Sequence, residues 1–379
     1  MDNTELEEFP EAVSEDSAEE HYMKRALGLA RRGLGKTSPN PVVGAIIVRD
    51  ERVIGEGYHH RYGGAHAEVN ALRSAHEQVR DATIYVTMEP CCRYERKVPS
   101  CLETIIESGV RRVVVGTLDP HPEVNGKGVR TLYRSGIETS MGVLEEACRK
   151  VNEMYFKYIR KGIPFVTLKF AQTLDGRIAT ATGNSQWISS NASLRLAHRL
   201  RGIHDAILIG IGTLMKDDPR LTVRLARGTS PIRVIADSKL RIPLDSRVLQ
   251  EQDIAPTIIA TTPKANESKR SSLMNMGIEV MEVAADSEQR VDLEDLFLKL
   301  GRRGISSVLV EGGSGIITSI LSRGLADKLV VAVAPKILGK GIEAVGNLGI
   351  SEIGGCVNLA SVRIYRKGMD LILEGDISS

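Results

Sequence analysis

With 379 residues, 42% hydrophobic and 26% charged, the chain has the composition of a globular protein and the length of two domains, which excludes a mostly disordered polypeptide. It contains no run of the ~18 apolar residues that a membrane helix needs. Residues 1–20 hold nine acidic and no basic side chains, so the net +2 becomes 50 basic against 39 acidic, or +11, on the rest: a body suited to anionic ligands, with only 4% aromatics to stack single-stranded nucleic acid.

The start, MDNTELEEFPEAVSEDSAEE, lacks the basic and apolar regions of a secretory signal and the arginines of a transit peptide. A cytoplasmic protein with a flexible acidic tail over 1–20 is therefore expected. Met23, Leu27, Ala30 and Leu34 then recur at helical spacing. VVGAIIV and VIGEGY, joined by Arg49-Asp50-Glu51-Arg52, read as a hairpin. A helix near 66–78, a strand over 82–87, a helix over 101–108 and the strand RRVVVG follow. Residues 128–135 read as a helix, 136–139 lead into a strand, and one long helix from about Leu144 to Arg160 closes this half. Lys161-Gly162-Ile163-Pro164 is helix-ending punctuation, so domains are expected over 21–162 and 163–379. The second is again α/β, with strands in PFVTLKFA, HDAILIG, IRVIA, APTIIAT, GIEVMEV, SSVLVE, KLVVAVA and MDLILEG. Its helices lie near 190–201, 267–275, 292–302 and 314–323, which predicts layered sheets with helices on their faces in both halves.

Five cysteines, Cys91, Cys92, Cys101, Cys148 and Cys356, are too few and too clustered for a disulfide framework; a close group points to metal or catalysis. His66-Ala67-Glu68 opens a helix after Gly63-Gly64, Met88-Glu89-Pro90-Cys91 ends a strand, and Cys101 starts the next helix. One imidazole and two thiolates make a three-ligand zinc set that leaves a fourth position for water, and helix N-termini favour thiolates. A carboxylate beside that water, Glu68, can carry protons from the nucleophile to a leaving amine. Zinc deaminases show this pattern as H-x-E followed by P-C-x-x-C. HAE alone is a commonplace tripeptide; HAE, EPC and a helix-starting cysteine in βαβα order are a far more specific signal.

Together with Ser38-Pro39-Asn40-Pro41-Val42-Val43-Gly44, GEGYHHRYGGAHAEVNAL, YVTMEPC, Asp119-Pro120-His121-Pro122 and Asn125-Gly126-Lys127-Gly128, these residues resemble the bifunctional riboflavin-biosynthesis deaminase–reductases. The resemblance implies a cytidine-deaminase-like α/β/α sandwich that hydrolyses the exocyclic amine of a phosphoribosylated diaminopyrimidine. It implies His66, Cys91 and Cys101 as zinc ligands, Glu68 as proton shuttle and Asn40 at the pyrimidine. The chain departs from the family between its cysteines, where eight loop residues are usual and Cys92 to Ser100 makes nine. Spacing back to His66 and the intact EPC favour Cys91 as ligand, while spacing forward to Cys101 fits Cys92. Arg93, Arg96 or Lys97 could take the substrate phosphate, and the changed loop leaves open a reading in which only the second half is active.

In that half Gly210-Ile211-Gly212 lacks the third glycine of GxGxxG, and Gly35-Lys36-Thr37 lacks the first glycine of a Walker loop, so a standard Rossmann or P-loop site is not expected. Polar residues crowd the strand ends instead: VTLKFA before TLDGRIAT, AILIG before GIGTLMKDDPRLTVR, and SSVLVE before Gly312-Gly313-Ser314-Gly315, whose glycines and helix start can cradle a phosphate. This pattern resembles the reductase half of the same family, so the resemblance runs from about residue 20 to 375. It implies a dihydrofolate-reductase-like α/β domain that reduces the ribosyl ring with NADPH, and a catalytic Asp217. Substrate contacts would come from Ser185, Arg201, Asp217, Leu221, Arg224 and Glu311, the two guanidinium forks suiting the phosphate. Dinucleotide contacts would come from Lys169, Gln172, Trp187, Thr213, Gly312, Gly313, Ser314 and Gly315, with Ser238 at the 2′-phosphate. Expected partners are small phosphorylated aminopyrimidines, without nucleic acid or membrane, and the chain is expected to form a homo-oligomer.

Overall fold

The computed structural model describes residues 18–92 and 100–378. Most of the expected acidic tail, and Arg93, Arg96 and Lys97, lie outside the described residues. The chain divides into two compact units, 1–33 with 42–151, and 34–41 with 152–379. Among the described residues no helix is long and apolar enough to cross a membrane.

The first unit runs α1 (Ala18–Ala30), β1 (Gly44–Arg49), β2 (Arg52–Tyr58), α2 (Ala67–Ser74), β3 (Thr83–Met88), α3 (Cys101–Ser108), β4 (Arg112–Thr117), α4 (Lys127–Arg134), β5 (Glu138–Met141) and α5 (Glu145–Val151). Its sheet has the order β2-β1-β3-β4-β5, with β2-β1-β3 antiparallel and β3-β4-β5 parallel. The central strands are apolar throughout because both faces are covered. Ile46, Val48, Tyr85 and Val114 pack with Met23, Ala26 and Leu27 of α1 and Cys148 of α5. Ala45, Ile47, Ile84, Val86, Val113 and Val115 pack on the opposite face with Ala67 and Ala71 of α2, Leu102 and Ile105 of α3, and Val129 and Leu132 of α4. The expected α/β/α sandwich is therefore present.

The second unit runs α6 (Glu153–Lys161), β6 (Phe165–Thr173), β7 (Arg177–Thr180), α7 (Asn191–Arg201), β8 (Ala206–Gly210), α8 (Ile211–Asp217), β9 (Ile232–Ala236), β10 (Thr257–Thr261), α9 (Glu267–Asn275), β11 (Glu279–Glu282), α10 (Leu293–Arg302), β12 (Ser307–Val310), α11 (Ser314–Ser322), β13 (Lys328–Ala334), β14 (Gly341–Glu343), β15 (Leu359–Lys367) and β16 (Asp370–Ile377). Nine strands form one sheet, β11-β10-β9-β8-β12-β6-β13-β16-β15, parallel except for the last two pairings; β7 and β14 pair separately. Leu168, Leu208 and Val310 face a core with Leu296, Phe297 and Leu300 of α10 and Ile317 and Ile320 of α11. Ile207 and Ile209 face Leu214 of α8 and Leu273 of α9.

One expectation is corrected. The helix foreseen from Leu144 to Arg160 is two helices, because Asn152 leaves helical geometry at φ −111°, ψ 17°. The two compact units divide between these helices, at 151/152. Helix α6 is tied to the second unit by a Lys157–Asp327 ion pair and by Tyr158 Oη donating to Gly301 O at 3.1 Å. Its end is as foreseen: Gly162 takes the left-handed conformation at φ 67°.

Candidate active sites

In the first unit, Gly57 lets α2 lie directly on β2; a Cβ there would meet Ala71 N at 2.2 Å. The loop before α2 is fixed by Asn70, whose Nδ2 donates to Tyr58 O (2.9 Å) and Ala65 O (3.0 Å). These contacts set His66 at the N-cap and Glu68 in the first turn. On α3, Ser100 caps the helix by accepting from Glu103 N at 3.3 Å, and Cys101 is the first helical residue. Cys91 follows β3. The three come together: His66 Nδ1 lies 3.1 Å from Cys101 Sγ and 3.3 Å from Cys91 Sγ, and the two sulfurs are 3.2 Å apart. Among the described residues this is the one His/Cys/Asp/Glu group placed to hold a metal ion. Donors this close can all reach one ion at zinc's ~2.0–2.3 Å bond lengths with one face left open, so the set fits zinc.

The sulfurs' shared hydrogen bond draws the Cys91 thiol below its ordinary pKa and, with burial, pushes Cys101 above it. Glu68 is 2% exposed, and burial raises its pKa to about 6. Cys92 points elsewhere, its Sγ 3.6 Å from Glu123 O. Cys91→Ala should therefore strip most of the zinc from the purified protein and Cys92→Ala little. Metal analysis of the two variants decides it, and the reverse order would shift the register by one.

Sequence reasoning missed Glu89. Its carboxylate, 4% exposed, accepts from the N–H groups of Asp119 (3.2 Å), Gly126 (2.8 Å), Gly128 (2.8 Å) and Val129 (3.3 Å). The Asp119–Gly128 turn is thereby locked to the peptide just before Cys91. Gly128 permits the approach, since a Cβ there would lie 2.5 Å from Pro90 O. The EPC glutamate two residues ahead of Cys91 was the available signal. Asn40 belongs to the 34–41 segment of the second unit, where its N–H donates to Thr37 O at 2.8 Å.

In the second unit a cavity of about 640 Å³ opens beyond the carboxyl ends of β8 and β12 and along β6. Lys169, Ser185, Trp187, Thr213, Asp217, Glu311 and the Gly312–Gly315 turn all line it, as expected for a ligand site at strand ends. Gly313 caps α11 without a side chain, leaving that helix start open to a phosphate. Lys216, Ile178 and Ala179 of β7 and Ile342 of β14 also line the cavity. The three on β7 and β14 were missed because those strands are too short to show a strand period. Asp217 is not at a strand end but is the last residue of α8; burial raises its pKa against the pull of Lys216.

Arg201 lies apart from the lining and binds Glu311 with both arms of its fork, Nε to Oε1 at 2.8 Å and Nη2 to Oε2 at 2.6 Å. Burial works to raise the Glu311 pKa, but Arg201 and Lys169 outweigh it and hold it at about 2. Lys169 is pushed down by burial, opposed by Glu311. Arg201's fork is therefore spent on Glu311, and Arg224, exposed, is the freer guanidinium. Leu221 is 2% exposed and its side chain packs in the core. Gln172 sits on β6 opposite Val333, outside the cavity lining. Ser238, whose Oγ accepts from Val291 N at 3.0 Å, adjoins a separate depression of about 400 Å³ lined by Lys239, Leu240, Asn266, Ser268, Lys269 and Ser272.

Comparison with known proteins gives two family matches: "Cytidine and deoxycytidylate deaminase zinc-binding region" over residues 16–117 and "RibD C-terminal domain" over 164–373. The riboflavin biosynthesis protein RibD of Aquifex aeolicus is 43% identical over 94% of this chain and 97% of its own, and that of Escherichia coli K12 is 37% identical over 94% and 98%. A solved Thermotoga maritima diaminohydroxyphosphoribosylaminopyrimidine deaminase/5-amino-6-(5-phosphoribosylamino)uracil reductase is 38% identical, covers 95% of this chain and 99% of its own, and superposes with a TM-score of 0.84. Acinetobacter baumannii RibD, at 35% identity, covers 96% and 99% with a TM-score of 0.86.

Proposed function

The chain belongs to the bifunctional riboflavin-biosynthesis deaminase–reductase family, and on that premise we propose which of its residues carry each step. It is both a hydrolase and an oxidoreductase. The first step is hydrolytic deamination of diaminohydroxyphosphoribosylaminopyrimidine; the second is reduction of the ribosyl chain of 5-amino-6-(5-phosphoribosylamino)uracil to the ribityl form.

For deamination, His66, Cys91 and Cys101 hold zinc, which supplies Lewis acidity and a water activated near neutral pH. Glu68 accepts the proton of the attacking water and delivers it to the leaving amine. The observation that carries this step is the convergence of three ligand atoms beside one buried carboxylate, and it favours an active first unit over a purely structural one.

For reduction, Lys169, Trp187, Thr213 and the Gly312–Gly315 turn would hold NADPH in the cavity, where it would supply a hydride. Substrate meets Ser185, Asp217 and Glu311, with Arg224 on its phosphate and Arg201 holding Glu311 in place. Hydride transfer to the anomeric carbon breaks its bond to the ring oxygen, which must gain a proton. Asp217, whose carboxyl burial holds above its ordinary pKa, and the buried Lys169 both line this cavity and are the groups assigned to supply it. Lys239 and Lys269, beside Ser238, favour a 2′-phosphate and so NADPH over NADH. A cytoplasmic homo-oligomer completes the reading.

One assay tests it. NADPH oxidation started with the unreacted aminopyrimidine should stop when zinc is chelated, and should resume when the deaminated intermediate is supplied. Equal rates with NADH would overturn the assignment of the Ser238 region, and chelator-insensitive turnover that of the zinc set.

A further inference from the structure

Helix α7 offers a side chain that neither step above uses. His198 is 4% exposed and lies one turn before Arg201. Its Nδ1 is 3.0 Å from the backbone nitrogen of Arg224, which has only a proton to give, so Nδ1 carries the lone pair and Nε2 the hydrogen. One turn on, Arg201 Nη1 donates to Thr222 O at 3.2 Å. Two successive turns of α7 thus grip the 222–224 segment by its backbone, once at a carbonyl and once at an N–H. Within the segment, Arg224 Nη1 donates to Thr222 Oγ1 at 2.9 Å, which sets the direction of the guanidinium. Burial, then the charges of Arg201 and Arg224, hold the His198 pKa down to about 4, so the imidazole stays neutral and keeps its acceptor at working pH.

We infer that His198 is a positioning residue for recognition of the substrate's phosphate: by accepting the Arg224 N–H it fixes where the Arg224 guanidinium is presented, and it sets the preference for a phosphorylated over an unphosphorylated substrate. The inference rests on the reading that Arg224 meets the phosphate. A phosphate held by a placed guanidinium gains charge-assisted hydrogen bonds, and losing such a bond costs roughly 10- to 100-fold in affinity. Because the phosphate lies away from the reacting carbon, the loss appears in KM and not in kcat.

The test uses the full-length zinc-loaded protein, the deaminated phosphoribosyl intermediate and its dephosphorylated riboside, followed by NADPH oxidation. His198→Leu should raise KM for the phosphorylated substrate roughly 10- to 100-fold, with kcat nearly unchanged and the riboside's KM unmoved. It should weaken inhibition by inorganic phosphate in parallel. His198→Asn, whose Oδ1 reaches near the position of Nδ1, should recover most of the preference, and stands in if the leucine variant fails to fold. Arg224→Gln separates the two layers. If Arg224→Gln lowers the preference for the phosphorylated substrate and neither His198 variant does, the role of His198 is wrong and the Arg224 reading stands. If Arg224→Gln leaves the preference intact, the phosphate reading itself is wrong. A His198→Leu variant that loses kcat equally on both substrates, or one that His198→Asn does not improve on, overturns the inference.

Discussion

Glu68→Gln abolishes deamination and leaves zinc bound. Glutamine has the shape of glutamate, and position 68 is closed off at 2% exposure, so the replacement keeps the packing of the first turn of α2. It removes a buried carboxyl that lies beside the His66, Cys91 and Cys101 cluster and can take a proton and return it. General acid–base catalysis is worth roughly 10²–10⁴-fold, and a loss of that size in ammonia release is expected. Metal content should match the parent, because the three donor atoms are untouched. A variant that loses zinc, or releases ammonia at near the parent rate, contradicts the role. The same carboxyl sets a pH dependence. It must be ionised to accept the proton, and burial raises its pKa to about 6, so the rate falls as pH drops through that region. A divalent cation beside it opposes the shift, which puts the acid limb at or below that value. The glutamine variant should have no such limb in its residual rate.

Asp217→Asn should slow reduction by roughly 10²–10⁴-fold and leave deamination at the parent rate. The carboxyl ends α8 and lines the same cavity as Lys169 and Glu311. An amide there cannot supply a proton to a departing ring oxygen. The fold should tolerate the change because the helix end is held by its neighbour: Asp218 takes the left-handed cap at φ 36° and accepts from Arg247 N and Nε, both at 2.9 Å. Supplying the deaminated intermediate and following NADPH absorbance isolates the step. Parent-rate reduction by the variant would remove Asp217 from the chemistry.

The zinc cluster was legible because its chemistry is written in short, local motifs at element boundaries: HAE at a helix start, EPC at a strand end, Cys101 at the next helix start. Which of Cys91 and Cys92 turns inward was not decidable from spacing, since an insertion shifts one flank of the loop and not the other; in the structure Cys91 Sγ lies 3.3 Å from His66 Nδ1, while Cys92 Sγ lies 3.6 Å from Glu123 O. The parallel core strands were legible as apolar runs. The small β7 and β14 pairing and the seven-residue α8 were not, since they carry too few residues for a period. The Arg201–Glu311 pair was out of reach for another reason. Both residues were singled out, but they are 110 positions apart, and an arginine reads as a phosphate ligand until its carboxylate partner is seen. His198 and Glu89 were missed because each acts on backbone N–H groups, which every sequence position supplies.

The four-way grip of Glu89 also bears on how the protein ages. Asn125-Gly126 is the dipeptide most prone to deamidate, a reaction in which the glycine nitrogen attacks the asparagine side-chain carbonyl to close a succinimide ring. Here Asn125 is exposed, but the Gly126 nitrogen is buried and its hydrogen is given to Glu89 Oε2 at 2.8 Å. A nitrogen held in that bond cannot swing toward the Asn125 side chain without breaking it. Isoaspartate should therefore build up at position 125 slowly in the folded protein and quickly once the first unit unfolds, which makes peptide mapping after storage a covalent record of how often this turn has opened.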